Sequence, residues 1–77
     1  MESETFIDIR LKVINFLGIF TSEIMHVSSK QYAELVEISK VFWITDNSFN
    51  IWTENGGAIL FPPEVIKVSI LEIEIIR

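Results

Sequence analysis

Apolar and charged positions alternate without exception from residue 7 to residue 13: Ile7, Ile9, Leu11 and Val13 against Asp8, Arg10 and Lys12. On a helix these charges would scatter around the axis, whereas on a strand they line one wet face. The pattern therefore predicts a strand over 6–13. A different period begins at Ser28. Ser28-Ser29-Lys30-Gln31 has the spacing of a capping box, in which the serine hydroxyl accepts from the third helical amide and the glutamine reaches back. Val27, just before the cap, is placed to pack on Tyr32 as a hydrophobic staple. The helix so opened runs over 29–40, with Tyr32, Leu35, Val36, Ser39 and Phe42 on one side and Glu34 and Glu37 outside that stripe.

Beyond Lys40 the residues become branched and aromatic, which predicts a strand over 41–45 and a turn at Asp46-Asn47-Ser48. A further strand is expected over 49–53, then a hairpin turn at Glu54-Asn55-Gly56-Gly57, whose residues tolerate positive φ. Residues 58–61 return as its partner, and Pro62-Pro63 ends the ladder because neither can donate to it.

Two stretches give mixed signals. Over 14–27, Phe16, Leu17, Phe20, Ile24 and Val27 fall near a helical stripe, yet Gly18 and the branched neighbours weaken a helix. A helix and a bent second strand both stand. Over 65–76 the alternation changes phase: Ile66, Val68 and Ile70 share one face, and Leu71, Ile73 and Ile75 continue on the other. Within one strand, that swap needs a bulge or a sharp bend. Residues 1–4 read as a frayed lead-in. Together these elements predict one α+β domain over 1–77: a small, curved, mainly antiparallel sheet of about five strands with one helix around 29–40.

At 77 residues a chain leaves roughly 40% of its unfolded surface exposed, so its core needs help. There is no cysteine for a disulfide, and a single histidine, His26, is no basis for a zinc site. Dense packing and self-association remain, in a chain that is 49% hydrophobic. A homo-oligomer is accordingly expected. The net charge of −5 and the absence of any basic run argue against nucleic acid and suit solubility or a basic protein partner. The acidic start, the missing thiols and the shortness of the longest uncharged stretch, 13–22, lead to the expectation of a cytoplasmic chain that does not enter a membrane.

Catalytic chemistry has little to stand on. His26 lies near Ser22, Ser28 and Ser29, but the cap accounts for Ser28. Glu72 and Glu74 would share a strand face, yet two carboxylates are too few for a calcium or magnesium site, and a solvated face accounts for them. Asp46-Asn47-Ser48 lacks the ligand spacing of a calcium loop, and Gly56-Gly57 lacks the following Lys-Ser or Lys-Thr of a phosphate cradle. No catalytic residue, metal or cofactor is assigned. The aromatics are more informative. Phe42, Trp43, Phe49, Trp52 and Phe61 fall close together, and neighbours on a strand point to opposite faces. One tryptophan is therefore expected to stand exposed on the monomer or under another chain. Trp43 and Trp52 are the candidate partner anchors, with Asp46 and Glu54 on their rim.

The stretch 41–70, through Asp46-Asn47, Gly56-Gly57 and Phe61-Pro62-Pro63 to Ile66, resembles the strand succession of SH3-like and Sm-like barrels. The likeness covers less than half the chain. It implies that the sheet could close into a small barrel, and no function is carried over from it. A winged-helix arrangement competes, with helices over 10–18 and 21–26, a recognition helix from Ser28 and a wing over 49–61. The alternation of 7–13 and the acids Glu34 and Glu37 oppose it. The expected function is a small non-enzymatic protein-interaction module, of the accessory inhibitor or adaptor kind that viruses and mobile elements encode. The alternative is a nucleic-acid-associated regulator of Sm-like or winged-helix type.

Overall fold

The computed structural model describes residues 5–44 and 46–76; the expected frayed lead-in and Thr45 lie outside the described residues. Among the described residues six strands form two antiparallel sheets beside one main helix. The larger sheet is built on β1 (Phe6–Asn15), which contains the predicted alternating segment. One edge of β1 pairs with β2 (Gly18–Thr21) and β3 (Met25–Ser28), and its other edge pairs with β6 (Ile70–Ile75). The smaller sheet is the hairpin of β4 (Phe49–Trp52) and β5 (Ala58–Phe61), turning through Gly56 at φ 80°. Helix α1 (Ser29–Lys40) and a short α2 (Pro63–Ile66) complete the chain. The described strands do not close into a barrel.

The alternation of β1 decides the layering. Ile9, Leu11 and Val13 are buried on the inner face, and Asp8, Arg10 and Lys12 lie on the outer face. Helix α1 packs against β1, β3 and β6 over one end of the inner face. The β4–β5 hairpin covers the other end, where Phe61 meets Phe20 edge-on at a centroid distance of 5.4 Å. Phe42, Ile51, Ile66 and Leu71 fill the space between.

The capping box is present as the spacing predicts. Ser28 Oγ accepts from the Gln31 N–H at 3.1 Å, and Gln31 Oε1 accepts from the Ser28 N–H at 2.9 Å. Tyr32, Leu35, Val36 and Ser39 form the half-buried stripe, and Glu34 and Glu37 face solvent. Ser28→Ala removes one of two reciprocal bonds at a buried cap and is expected to cost about 1 kcal/mol. Thermal melting should register it as a fall of roughly 4–8 °C.

The stretch 14–27, for which helix and strand both stood, takes the form of the bent second strand. Asn15 and Gly18 close a tight turn from β1 into β2, and Gly18, at φ 138°, takes a conformation that side chains disfavour. The bend lies between β2 and β3. Lys12 pairs with Thr21 and Ile9 with Met25, so residues 22–24 stand opposite 10 and 11, one residue too many. That is a β-bulge. Ser22 repairs the ladder there. Its N–H donates to the Leu11 carbonyl, and its buried Oγ accepts from the Leu11 N–H, both at 2.8 Å.

Two expectations need correction. Residues 42–44 are not part of a strand but a 3₁₀ turn that continues from α1. It drives Phe42 into the core, edge-on to Phe49 at 5.0 Å, and leaves Trp43 and Ile44 outside. The phase change in 65–76 is likewise not a bend within one strand. Pro63 opens α2, Ile66 is buried from that helical turn, and β6 begins only at Ile70. Proline is pre-set for the first turn of a helix, where its missing N–H costs nothing.

Candidate protein-interaction surface

The bulge positions the second sheet. Glu23, within it, donates its N–H to the Trp52 carbonyl at 2.7 Å, tying the end of β4 to the edge of the larger sheet. The hairpin turn then reaches round that edge, where Glu54 Oε1 meets Arg10 Nη2 at 2.5 Å. A polar cleft lined by Arg10, Thr21, Ser22, Thr53, Glu54 and Asn55 lies along this seam. Alternation in β4 turns Phe49 and Ile51 inward, so Asn50 and Trp52 point out.

Both tryptophans are exposed, Trp52 at 57% and Trp43 at 60%. Trp43 stands on the 3₁₀ turn after α1, beside Val41 and Ile44, which are also exposed. An apolar groove lies by this corner, lined by Ile38, Val41, Phe42 and Phe49 with Asn47 and Ser48. Trp52 shares the outer face of the hairpin with Leu60, itself 64% exposed. The two indoles sit on different elements, and no ring contact joins them among the described residues. Of the rim acids, Asp46 is exposed beyond the 3₁₀ turn, and Glu54 is engaged with Arg10.

The other singled-out side chains have structural partners. His26 Nδ1 lies 2.7 Å from Asp8 Oδ1 across the β1–β3 pair, and its ring stacks on Phe6 at 4.8 Å. Glu74 Oε2 accepts from Lys12 Nζ at 3.2 Å, and Glu72 stands opposite Lys12 in register. Among the described residues no group of three or more acids and histidines is placed to hold a metal ion. No helix of the described chain is long and apolar enough to cross a membrane.

Sequence reasoning missed a third apolar region. Phe16, Leu17 and Ile19, around the β1–β2 turn, are exposed, as are Val68 and Ile70 at the start of β6. Their near-helical spacing and changed phase pointed to folding alternatives and hid the fact that these residues cover nothing. Ile14 lies opposite both Ile19 and Ile70, and that register could be read only once β1 was known to be the central strand. Compared with protein-family models, curated proteins and solved structures, the chain has no match.

Proposed function

We propose that this chain is a non-enzymatic, self-associating protein-interaction module of the accessory inhibitor or adaptor kind. One observation carries the reading: Trp43, Trp52 and a set of large aliphatic side chains stand more than half exposed on a domain that has already filled its core. Scattered exposed apolar residues are ordinary, but contiguous apolar surface marks contact sites. Tryptophan buries a large area at little entropic cost and is enriched among the residues that dominate interface energies. Besides His26 with Asp8, the ionisable side chains that meet among the described residues do so as opposite charges, Arg10 with Glu54, Lys12 with Glu74 and Lys40 with Glu37. Such pairs suit a charged surface around an apolar contact better than they suit acid–base work.

Light scattering across a dilution series tests the reading. The expected mass is twice 8.9 kDa or more at high concentration, falling toward 8.9 kDa on dilution. A mass that stays at the single-chain value at every soluble concentration overturns it.

A further inference from the structure

The outer face of the larger sheet changes character along its length. Asp8, Arg10 and Lys12 make one end charged, and then Ile14 lies between Ile70 on β6 and Ile19 on β2. The three isoleucines form a row across three strands. Beyond it stand Phe16 and Leu17 at the hairpin tip and Val68 before β6. Asn15 Nδ2 donates to Ser69 Oγ at 3.0 Å, holding the tip against the segment that enters β6. Exposure is 79% for Phe16, 66% for Ile19, 65% for Ile70, 62% for Leu17 and 59% for Val68.

We propose that this patch packs on the same patch of a second copy about a two-fold axis. The proposal rests on the self-association reading and names the surface that performs it. Area is the first argument. Side chains of this size and exposure present together on the order of 500 Å² of apolar surface, near the upper end of what a monomer leaves open. A stable dimer buries about 800 Å² on each partner, and the bordering Lys12, Thr21 and Glu72 supply the polar remainder.

Charge is the second argument. The chain carries −5 overall, yet the register pairs beside the row set Lys12 against Glu72 and Arg10 against Glu74. A two-fold axis that crosses the row between Ile14 and Ile70 and runs along the strands sets each copy's Lys12 over the other's Glu72, so the border is self-complementary instead of repulsive. The open edge of β6 offers no such match. Pairing it with its own copy would set Glu72 and Glu74 against like charges.

The test is sedimentation equilibrium on the full chain, with Ile19→Lys and Ile70→Lys compared with Trp43→Ala and Trp52→Ala. Ile19 and Ile70 are exposed in the single chain, so far-UV circular dichroism should stay native while the lysine variants weaken the dimer about a hundredfold or more. Tryptophan emission should not shift as the parent dimerises, because neither indole lies on this face. A dimer that survives both lysine substitutions but is lost in the tryptophan variants overturns this surface and leaves self-association standing. A parent chain that is monomeric at all concentrations overturns both. A monomeric parent that pellets with phosphatidylcholine vesicles also overturns both, and assigns the patch to lipid.

Discussion

Phe42→Ala should lower the urea midpoint by a large part of its value under conditions in which Trp43→Ala leaves it unchanged. The two residues are adjacent on one 3₁₀ turn, but Phe42 is 2% exposed and its ring edge meets Phe49. Truncation removes most of a buried ring from a region that already borders the groove beside Ile38 and Val41. Phenylalanine truncations in cores cost about 3–5 kcal/mol, because the surrounding side chains relax only in part. A domain of this length has a stability of roughly 4–11 kcal/mol, so the loss takes much or all of it. Trp43 contributes surface alone, and its removal should stay within about 0.5 kcal/mol. Urea denaturation followed by circular dichroism separates the two. A Phe42→Ala midpoint close to that of the parent would mean that this ring does not lock the helix end to the hairpin.

Ser22→Ala should cost about 2 kcal/mol and lower the melting temperature by roughly 8–16 °C, far more than loss of an ordinary hydroxyl. The hydroxyl stands in for a strand carbonyl: it accepts from the Leu11 N–H and donates to the Glu23 carbonyl, both at 2.8 Å. Leu11 and Ser22 are both buried, so no solvent replaces the lost acceptor. An amide left without a partner there bears its full desolvation penalty. Hydrogen exchange should localise the change to the Leu11 amide and, through Glu23, to the end of β4. Unchanged protection at Leu11 would show that the bulge is held by the hairpin and not by the serine.

What could be read from the chain alone follows from which forces act locally. Strict alternation in 7–13 admits one backbone period, and a capping box pins a helix start within a residue. Gly56, the only described residue besides Gly18 with positive φ, marks the β4–β5 turn for a local reason too. The rest depended on contacts distant in sequence. Residues 41–44 form an apolar run with no clear period, and the 3₁₀ form of 42–44 follows from Phe42 reaching the core directly behind α1. The bulge at 22–24 exists because β2 and β3 share one edge of β1 and a second sheet docks there, which no window of neighbouring residues reveals. The phase change in 65–76 was visible, but its cause was misread, because Pro63 looked like a terminator and serves as an initiator. For the candidate surface, the two tryptophans could be named in advance. One of them is expected to stand outside the core; that both do, and that an isoleucine row crosses β6, β1 and β2, could not be read there.

The arrangement of β1 also bears on when the protein can fold during synthesis. One edge of β1 gains β2 and β3 early, but its other edge waits for β6, and 62 positions separate Lys12 from its partner Glu74. A nascent chain that has emerged only as far as the β4–β5 hairpin therefore carries the longest strand of the fold with one side unzipped. Pairings so distant along the polypeptide form slowly, and an unpaired edge invites association with whatever strand is at hand. Translation speed over residues 62–75, and the availability of chaperones as β6 emerges, should thus govern the yield of native protein more than events during the synthesis of β1.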